Sequence, residues 1–453
     1  MDTNYTVRRT RSGHVTCEVR IDSKNIFLHS SYDPVKEANH FVKNHINQIK
    51  GKKRIFIYGM GCGYHIAALL QVMTDDTEVE IDVWDFNIAL YELLKNESPI
   101  KELLVDSRLT FHITNNKTEI INCWSQMDVN NDYILIHPAS LEIIPVELKD
   151  LKEALGILQI NSNNLLINKD ILNEQFTVNL ETGNIDKEGI LHHLLPDLPV
   201  VLVAAGPSLE KNYHFLRKYK EKVLIGAVGN ALGPLVIHNI IPDFFVLTDA
   251  CQDLYKQFYR IDKMLQHEIP LFYLGTVAPE VVAMYAGPKI MLLQDQFEKA
   301  NQLAAQLGII PVKTGGSVAT MLLDFSIYLG AKQVCFVGQD LAFTDNKTHI
   351  EGAMGYKEVR MHRYNTNLIE IDDYFLQKKV YAPQNLYIYK KWIENYIKDH
   401  PDIQFFNATQ GGAYINGCLH VNFEEFINRL LFKEDTAVYK NKFKQAIAHI
   451  VNT

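Results

Sequence analysis

Short apolar runs that alternate with amphipathic stretches dominate the pattern of this 453-residue chain. Each apolar run has the length of a strand buried on both faces, as in RIFIY, PVVLV, VLIGAV, FFVL and QVCFV. Helix-like segments such as DPVKEANHFVKNHI and GSVATMLLDFSIYLG separate the runs. Alternation of this kind predicts an α/β fold, with helices covering both faces of largely parallel sheets.

The chain contains two such series of alternating strands and helices. The first opens with a βαβ pattern that has Gly59, Gly61 and Gly63 at its turn and Asp85 after the next strand, as in a Rossmann-like half. The second begins at Pro199, beyond polar segments rich in Asn and Gly. We therefore predict two Rossmann-like domains and a mostly helical C-terminal region. Their bounds are 1–185 for an N-terminal accessory domain, 186–425 for a central domain and 426–453 for a helical tail.

The N-terminal glycine turn has two interpretations. In a methyltransferase-like sheet it would face S-adenosylmethionine, with Asp85 holding the ribose hydroxyls. The sequence downstream lacks the catalytic motif of a methyltransferase. We therefore interpret the turn as scaffold.

Composition and charge narrow the class of protein. The formal net charge of -8 argues against nucleic acid and anionic membranes as partners. Six cysteines lie far apart without a CxxC pair, so neither a zinc knuckle nor a disulfide framework is indicated. No apolar run is long enough to span a membrane, and the first residues do not resemble a signal peptide. We expect a cytoplasmic protein.

Turns rich in glycine and hydroxyl side chains follow several strands of the second series. Because parallel strands place their carboxyl ends at one edge of a sheet, where open α/β folds bind nucleotides, these turns predict a single site. Glycine lets the backbone approach a ligand, and a serine at a helix start caps the helix or donates to an anion. Each turn taken alone is equally consistent with simple packing of a helix on a sheet. The predicted site residues are Gly206, Pro207, Ser208, Asn230, Asp249, Thr314, Gly315, Gly316, Ser317, Gly338 and Asp340.

Segments across most of the chain resemble the motility accessory factor family, whose members are implicated in flagellin glycosylation. They are LHSSYDPVKEA, AGPSLEKN, GNALGPL, TGGSVATMLLDFSIYLGAKQVCFVGQDLAFTDNKTHIEG and NATQGGAYING. The family is similar to bacterial sialyltransferases, in which matching segments surround a CMP-sugar. The central domain also resembles archaeal pterin diphosphokinases.

The family resemblance implies a specific transfer reaction. A nonulosonic, sialic-acid-like sugar, such as a pseudaminic or legionaminic acid, would pass from a CMP donor to Ser or Thr hydroxyls of flagellin, a step needed for flagellum assembly and motility. The CMP-sugar is the donor substrate, so no separate cofactor is expected. No metal is expected either, since no persuasive Asp-x-Asp motif ends a strand. The oligomeric state stays open.

A histidine is the expected general base for the acceptor hydroxyl, because its pKa lies near neutrality. We prefer His349, which follows Asp340 closely in the sequence, and His362 is the alternative. Asp340 is grouped with them as a catalytic candidate, and Tyr356 is expected to contact the donor. Gln410 stands where the family pattern leads us to expect Glu, so no catalytic carboxylate is assigned there.

Two other functions remain open from the sequence. One is an ATP- and Mg²⁺-dependent enzyme similar to 6-hydroxymethylpterin diphosphokinases. The other is a non-catalytic accessory protein that binds flagellin. Nucleotide binding would distinguish the second from both enzymes.

Overall fold

A computed structural model describes residues 4–21, 24–73, 79–124, 132–148, 151–152, 155–156, 169–359 and 368–452. The chain forms two compact units, which comprise residues 1–167 and 168–453. Among the described residues, no helix combines the length and the apolar character needed to cross a membrane.

The first unit contains an antiparallel sheet of three strands and a parallel sheet of four. Its strands are β1 (Asn4–Arg9), β2 (Val15–Ile21), β3 (Lys24–Phe27), β4 (Arg54–Tyr58), β5 (Glu80–Asp85), β6 (Leu109–Ile113) and β7 (Asp132–Ile136). Its helices are α1 (Pro34–Ile49), α2 (Tyr64–Val72), α3 (Ile88–Leu94), α4 (Ile100–Leu103), α5 (Lys117–Trp124) and α6 (Pro138–Glu142), followed by a 3-10 turn at Val146–Leu148.

The order of the four-stranded sheet, β6-β5-β4-β7, identifies its topological switch point. From β4 the chain adds β5 and β6 on one side, and then it returns to place β7 on the other side. The loops that leave β4 and β7 therefore diverge, and in open α/β sheets ligands bind where such loops separate. In this unit that place is occupied by the glycine turn after β4 and the residues after β7.

The second unit is built on a nine-stranded sheet in which all neighbouring strands run parallel. In chain order its strands are β8 (Asn184–Ile185), β9 (Val200–Val203), β10 (Leu224–Val228), β11 (Phe244–Leu247), β12 (Leu271–Leu274), β13 (Lys289–Leu292), β14 (Gln333–Val337), β17 (Gln404–Asn407) and β18 (Leu419–His420). A separate antiparallel hairpin consists of β15 (Ile369–Asp372) and β16 (Lys379–Ala382).

Helices of the second unit connect these strands. They are α7 (Lys169–Thr182), α8 (Tyr213–Tyr219), α9 (Gly229–Ile237), α10 (Lys263–Gln266), α11 (Pro279–Met284), α12 (Glu298–Leu307), α13 (Val318–Tyr328), α14 (Gln384–Asp399), α15 (Phe423–Asn428) and α16 (Thr436–Asn452). Short 3-10 segments lie at Pro207–Asn212, Lys220–Lys222 and Gln252–Gln257.

Strand order in the nine-stranded sheet is β18-β17-β14-β9-β10-β11-β12-β13-β8. Every residue of β9, β10, β11, β12 and β14 is buried, which explains why these strands read as continuous apolar runs. The chain proceeds from β9 to β13 in one direction and then crosses back to β14 on the other side of β9. The topological switch point of this sheet therefore lies between β9 and β14.

The structure confirms the predicted α/β class and places the domain boundary differently. The first compact unit ends near residue 167 rather than 185. The reason is that α7 lies within the second unit and β8 pairs in parallel with β13, Asn184 beside Ile290 and Ile185 beside Met291. The edge strand of the second sheet thus comes from residues that the sequence assigned to the first domain.

The C-terminal helix is part of the second unit rather than a separate tail. Phe443 on α16 is buried and packs against the rings of Phe244 and Phe272 at centroid distances of 5.7 and 6.0 Å. Lys440 on the same helix donates to Asp243 Oδ2 at 2.8 Å. Helix α16 therefore covers one face of the nine-stranded sheet.

We expect Phe443→Ala to lower the free energy of unfolding of the second unit by about 3–5 kcal/mol, since it removes a buried aromatic side chain. Val438→Ala on the same helix is the matched control, because Val438 is 62% exposed and surface substitutions typically change stability by less than about 0.5 kcal/mol. Denaturant unfolding of the full chain measures both. Equal stabilities for the two variants would contradict the packing of α16 on the sheet.

Candidate functional site

The loops that follow β9 and β14 meet directly at the switch point of the nine-stranded sheet. Gly206 N–H donates to the carbonyl of Gly338 at 2.8 Å. A Cβ atom at Gly206 would lie 1.9 Å from Asp340 Oδ1, so this close approach requires glycine. The sequence correctly placed Gly206, Gly338 and Asp340 at one edge of one sheet.

Asp340 fastens these two loops together. Its carboxylate accepts hydrogen bonds from the Ser208 hydroxyl at 2.7 Å, from the Ser208 main-chain N–H at 3.3 Å and from the Thr344 hydroxyl at 2.6 Å. Both Ser208 and Asp340 are buried. Ser208, which we predicted either to cap the following helix or to donate to an anion, thus donates to this carboxylate at the start of the 3-10 segment Pro207–Asn212. Its contacts are those of a positioning residue.

A third loop, after β17, completes this arrangement. Thr409 Oγ1 accepts from the main-chain N–H of Gln339 at 3.2 Å, and the carbonyl of Asp340 accepts from Ala413 N–H at 2.7 Å. Gly412 has a φ of +70°, and a Cβ atom there would lie 2.1 Å from the Asp340 carbonyl oxygen. The glycine pair of NATQGG therefore lets the third loop approach the first two.

Lys211 is a cation at this edge that the sequence analysis missed. Its Nζ donates to the carbonyl of Gln410 at 2.7 Å, and a Cβ atom at Gly411 would lie 3.5 Å from it. Lys211 ends the motif AGPSLEK, so a basic residue soon after the glycine turn was the available signal. The site thus holds a positive charge beside a glycine loop.

Three buried side-chain oxygens without a hydrogen-bond partner belong to the segments that follow β10, β11 and β14 at the same edge. Asn230 Oδ1 lies at the start of α9, and Gln257 Oε1 lies where a Cβ atom at Gly229 would overlap it at 1.8 Å. Gln339 Oε1 belongs to the loop after β14. Buried polar atoms are normally paired, so these three atoms mark the surface that a ligand with hydrogen-bond donors would fit.

His349 is connected by its neighbour to the loop after β9. Ile350 N–H donates to the carbonyl of Ala205 at 2.8 Å. The His349 ring is half-buried, and its Nδ1 lies 2.9 Å from the carbonyl of Gly355, which can only accept. Nδ1 therefore carries the proton, and Nε2 of the neutral ring carries the lone pair. Burial lowers the pKa of His349, which favours that neutral form.

The segment between Asp340 and His349 holds residues in the left-handed region. Leu341, Asp345 and Asn346 have φ values of 52°, 51° and 57°. Side chains other than glycine rarely adopt such values, and they concentrate at functional sites. This strain lies next to the carboxylate that fastens the loops.

The remaining predicted residues are not joined to this contact network by the bonds given above. Asp249 follows β11, and burial raises the pKa of its carboxyl. Tyr356 is half-buried. His362 lies outside the described residues. Only the loops after β9, β14 and β17 are joined by the bonds given above.

The glycine-rich start of α13 is satisfied by its own residues. The Ser317 hydroxyl accepts from Thr320 N–H at 3.3 Å, and the Thr320 hydroxyl accepts from Gly315 N–H at 2.9 Å. Thr314 N–H donates to Asp295 at 3.3 Å. A Cβ atom at Gly315 would overlap the Trp392 ring, and the remaining predicted glycine, Gly316, has a φ of +84°. Packing and capping thus explain part of this motif. The main-chain N–H groups of Val318 and Ala319 lie in the first turn of α13, where N–H groups have no acceptor within the helix.

In the first unit, the N-terminal glycine turn is held by hydrogen bonds to Asp85 and lies beside three buried histidines. Asp85 accepts from Met60 N–H at 2.8 Å and from Asn87 N–H at 2.9 Å, so it braces the turn. Close by lie His29, His65 and His137. The sequence analysis missed these histidines, although His29 and His137 directly follow the apolar runs IFL and ILI, and His65 follows the glycine turn.

The fold and these sites define an α/β protein with two Rossmann-like sheets, each with its polar loops at a topological switch point. Residues 174–346 match the family model described as 6-hydroxymethylpterin diphosphokinase MptE-like. This match covers the N-terminal part of the second unit, from within α7 to the loop after β14, and it includes the loop after β9.

The whole chain shares its fold with a solved structure of the Maf glycosyltransferase from Magnetospirillum magneticum AMB-1. The TM-score is 0.50 at 14% identity, and the likeness covers 99% of this chain and 74% of that one. Together with the family match, it supports the resemblance drawn from the sequence at the level of fold.

A curated relative of this chain is an uncharacterized protein of Treponema pallidum (strain Nichols), 28% identical over 171 residues. The alignment covers 36% of this chain and 29% of that protein. The chain thus matches less than a third of the length of that relative.

We expect Asp340→Asn to change how stability depends on pH. Burial raises the pKa of the Asp340 carboxyl above its usual value of about 4, so the folded state binds this proton more tightly than the unfolded state. The associated stabilisation is present at low pH and is lost as the pH rises from about 4 through the folded pKa. The free energy of unfolding of the wild type, relative to the variant, should therefore fall over that range.

Denaturant unfolding at a series of pH values from about 4 to 8 measures this difference. Asp399→Asn is the control, since Asp399 is exposed at the end of α14. A difference between wild type and Asp340→Asn that stays constant with pH would contradict the raised pKa.

Proposed function

We propose that this protein is a glycosyltransferase that moves a nonulosonic, sialic-acid-like sugar from a CMP donor to Ser or Thr hydroxyls of flagellin. The observation that carries the proposal is the set of unpaired buried acceptors that follow β10, β11 and β14, at the same carboxyl edge of the sheet as the joined loops after β9 and β14. The fold shared with the Maf glycosyltransferase structure agrees with it.

The chemistry of a nucleoside suits these acceptors. The amino group of cytosine and the hydroxyls of ribose are hydrogen-bond donors. Asn230 Oδ1 and Gln257 Oε1 are acceptors that the protein itself leaves unpaired. Each buried group without a partner costs about 1–3 kcal/mol, which a donor on the ligand would recover.

The single phosphate of a CMP-sugar requires one region of positive potential. The start of α13, an eleven-residue helix capped by Ser317, supplies main-chain N–H groups. Lys211 supplies a full charge beside the Gly411 loop. We assign the phosphate to this edge of the sheet.

In the proposed reaction, the acceptor oxygen of Ser or Thr attacks the anomeric carbon of the sugar. The bond from that carbon to the phosphate oxygen breaks, and CMP leaves with the bonding electron pair. Nε2 of His349 takes the hydroxyl proton, because its lone pair is available when Nδ1–H is held by Gly355. Direct attack inverts the configuration at the anomeric carbon.

A second candidate function follows from the family match. Residues 174–346 fit the model of 6-hydroxymethylpterin diphosphokinases, which implies an ATP- and Mg²⁺-dependent transfer to a pterin. Calorimetric titration of the full chain separates the candidates: selective CMP binding supports the glycosyltransferase. ATP·Mg²⁺ binding without a response to CMP favours the kinase, and no response to either favours a non-catalytic accessory role.

We expect Asn230→Ala to weaken CMP binding about tenfold, which corresponds to the loss of one hydrogen bond of about 1.4 kcal/mol. The same substitution should leave the free energy of unfolding unchanged or slightly higher, because it removes an unpaired buried acceptor. Calorimetry and denaturant unfolding measure the two effects. Asn428→Ala, on the exposed end of α15, is the control; CMP affinity reduced equally in both variants would count against the assignment.

We expect His349→Ala to reduce transfer from candidate CMP-nonulosonic acids to flagellin by about 100- to 10,000-fold, the usual contribution of a general base. CMP affinity should stay at the wild-type value, since this histidine acts on the acceptor. His267→Ala, at an exposed position after α10, is the matched control. Full activity of the His349 variant would move the base to His362 or away from histidine.

A further inference from the structure

Three histidines from distant parts of the first unit converge at the switch point of its four-stranded sheet. One ring nitrogen of each of His29, His65 and His137 lies within 4.8 Å of the other two. All three side chains are buried, with exposures of 2%, 0% and 6%. We call this group the histidine cluster. None of its members belongs to the site proposed above.

The fold brings each histidine to the cluster by a different route. His65 is the second residue of α2, directly after the glycine turn that leaves β4. His137 follows β7, and its N–H donates to the carbonyl of Tyr58 at the end of β4. His29 follows β3, where the hydroxyl of Thr16 donates to its carbonyl at 2.7 Å. The cluster therefore lies where parallel α/β sheets place their ligands.

Glycine in the turn makes room for the imidazole rings. A Cβ atom at Gly61 would lie 2.9 Å from His29 Nε2 and 3.1 Å from His137 Cε1. A Cβ atom at Gly59 would lie 2.3 Å from Ser140 Cβ. The glycine pattern, which resembles a dinucleotide-binding turn, thus leaves space for the histidine side chains of this unit.

Each imidazole has one nitrogen engaged by an outer partner. His29 Nδ1 lies 3.3 Å from Glu37 Oε2, His65 Nε2 lies 2.9 Å from the carbonyl of Gly59, and His137 Nδ1 lies 2.8 Å from the Ser140 hydroxyl. Histidines that bind metals almost always hold their second nitrogen in this way, with a carboxylate, a carbonyl or a similar partner.

The proton positions leave two lone pairs facing each other. The Gly59 carbonyl only accepts, so His65 Nε2 carries a proton and Nδ1 of the neutral ring does not. The Glu37 carboxylate likewise only accepts, so a neutral His29 carries its proton on Nδ1. His29 Nε2 and His65 Nδ1 lie 3.4 Å apart. In the neutral cluster no proton lies between these two acceptors.

A metal ion would stabilise these two facing nitrogen atoms, because it binds both lone pairs. Two Zn–N bonds of about 2.05 Å at a tetrahedral angle place their nitrogens about 3.3 Å apart, close to the separation of His29 and His65.

We propose that the histidine cluster binds a divalent transition-metal ion, with Zn²⁺ as the preferred ion. Imidazole nitrogen suits zinc, and three protein ligands leave a fourth tetrahedral position for water or another small ligand. Each lone pair lies in the plane of its ring, whereas the rings of His65 and His137 stack with an interplanar angle of 4°. His29 stacks on both of these rings as well, at interplanar angles of 28° and 25°, so metal binding requires the rings to rotate out of the stack.

Cobalt is the probe that reports directly on the site. The untagged full chain, treated with chelator and dialysed, is titrated with Co²⁺ and then with Zn²⁺. We expect one equivalent of Co²⁺ to produce the visible absorption of a tetrahedral site and Zn²⁺ to displace it. Failure of the wild type to bind either ion would overturn the proposal.

Variants assign the binding to the cluster. We expect His137→Asn to abolish the Co²⁺ absorption, while His40→Asn, at an exposed position on α1, retains it. Circular dichroism establishes that each variant is folded. Absorption that persists in the double variant His65→Asn and His137→Asn would refute the assignment.

The Glu37→Gln variant provides a second test of metal binding in case the loss of a histidine ligand unfolds the first unit. Glu37 is a half-exposed positioning residue that acts through His29. Its substitution should weaken Zn²⁺ binding by about 10- to 100-fold without removing a ligand. Unchanged affinity in a folded Glu37→Gln variant would contradict the role given to this carboxylate and to His29. The outcome is independent of CMP binding, which concerns the second unit.

Discussion

The buried carboxylate of Asp340 is the interaction on which the candidate site in the second unit depends. It accepts from the main chain and hydroxyl of Ser208 and from the hydroxyl of Thr344, so it fastens the loops that leave β9 and β14 in opposite directions. Burying a charge is costly unless it is fully hydrogen-bonded. Gly206 and Gly412 are needed around this carboxylate, because a Cβ atom at either position would overlap atoms of Asp340.

In the first unit, a buried aspartate also holds a loop at the switch point, but the side chains beside that loop are different. Asp85 ends β5 and accepts from the main-chain N–H of Met60, so a buried aspartate again braces the turn after the neighbouring strand. Here the space beside the turn is occupied by imidazole rings rather than amide side chains. Two parallel sheets, each with a topological switch point, thus present different donor and acceptor sets, and fold alone does not determine which chemistry each supports.

Local patterns explain what the sequence could predict. Apolar runs identified the strands, and glycines after them identified the turns, because both depend on residues close together in the chain. The partner of Ser208 lies 132 residues away, and His29, His65 and His137 are brought together only by the fold. The helical pattern of α16 likewise predicted a helix without indicating the sheet that it covers. Tertiary contacts of this kind leave no local signature.

The unpaired acceptors lower the free energy of unfolding of the second unit. Asn230, Gln257 and Gln339 each bury an oxygen without a partner, and together they cost about 3–9 kcal/mol. A whole domain is typically stable by only about 5–15 kcal/mol. The aromatic core that Phe325 and Phe443 form with Phe244 and Phe272 offsets this cost. Asn230 and Gln257 follow β10 and β11, and Gln339 follows β14, so all three acceptors lie along the carboxyl edge at which parallel α/β sheets bind their ligands.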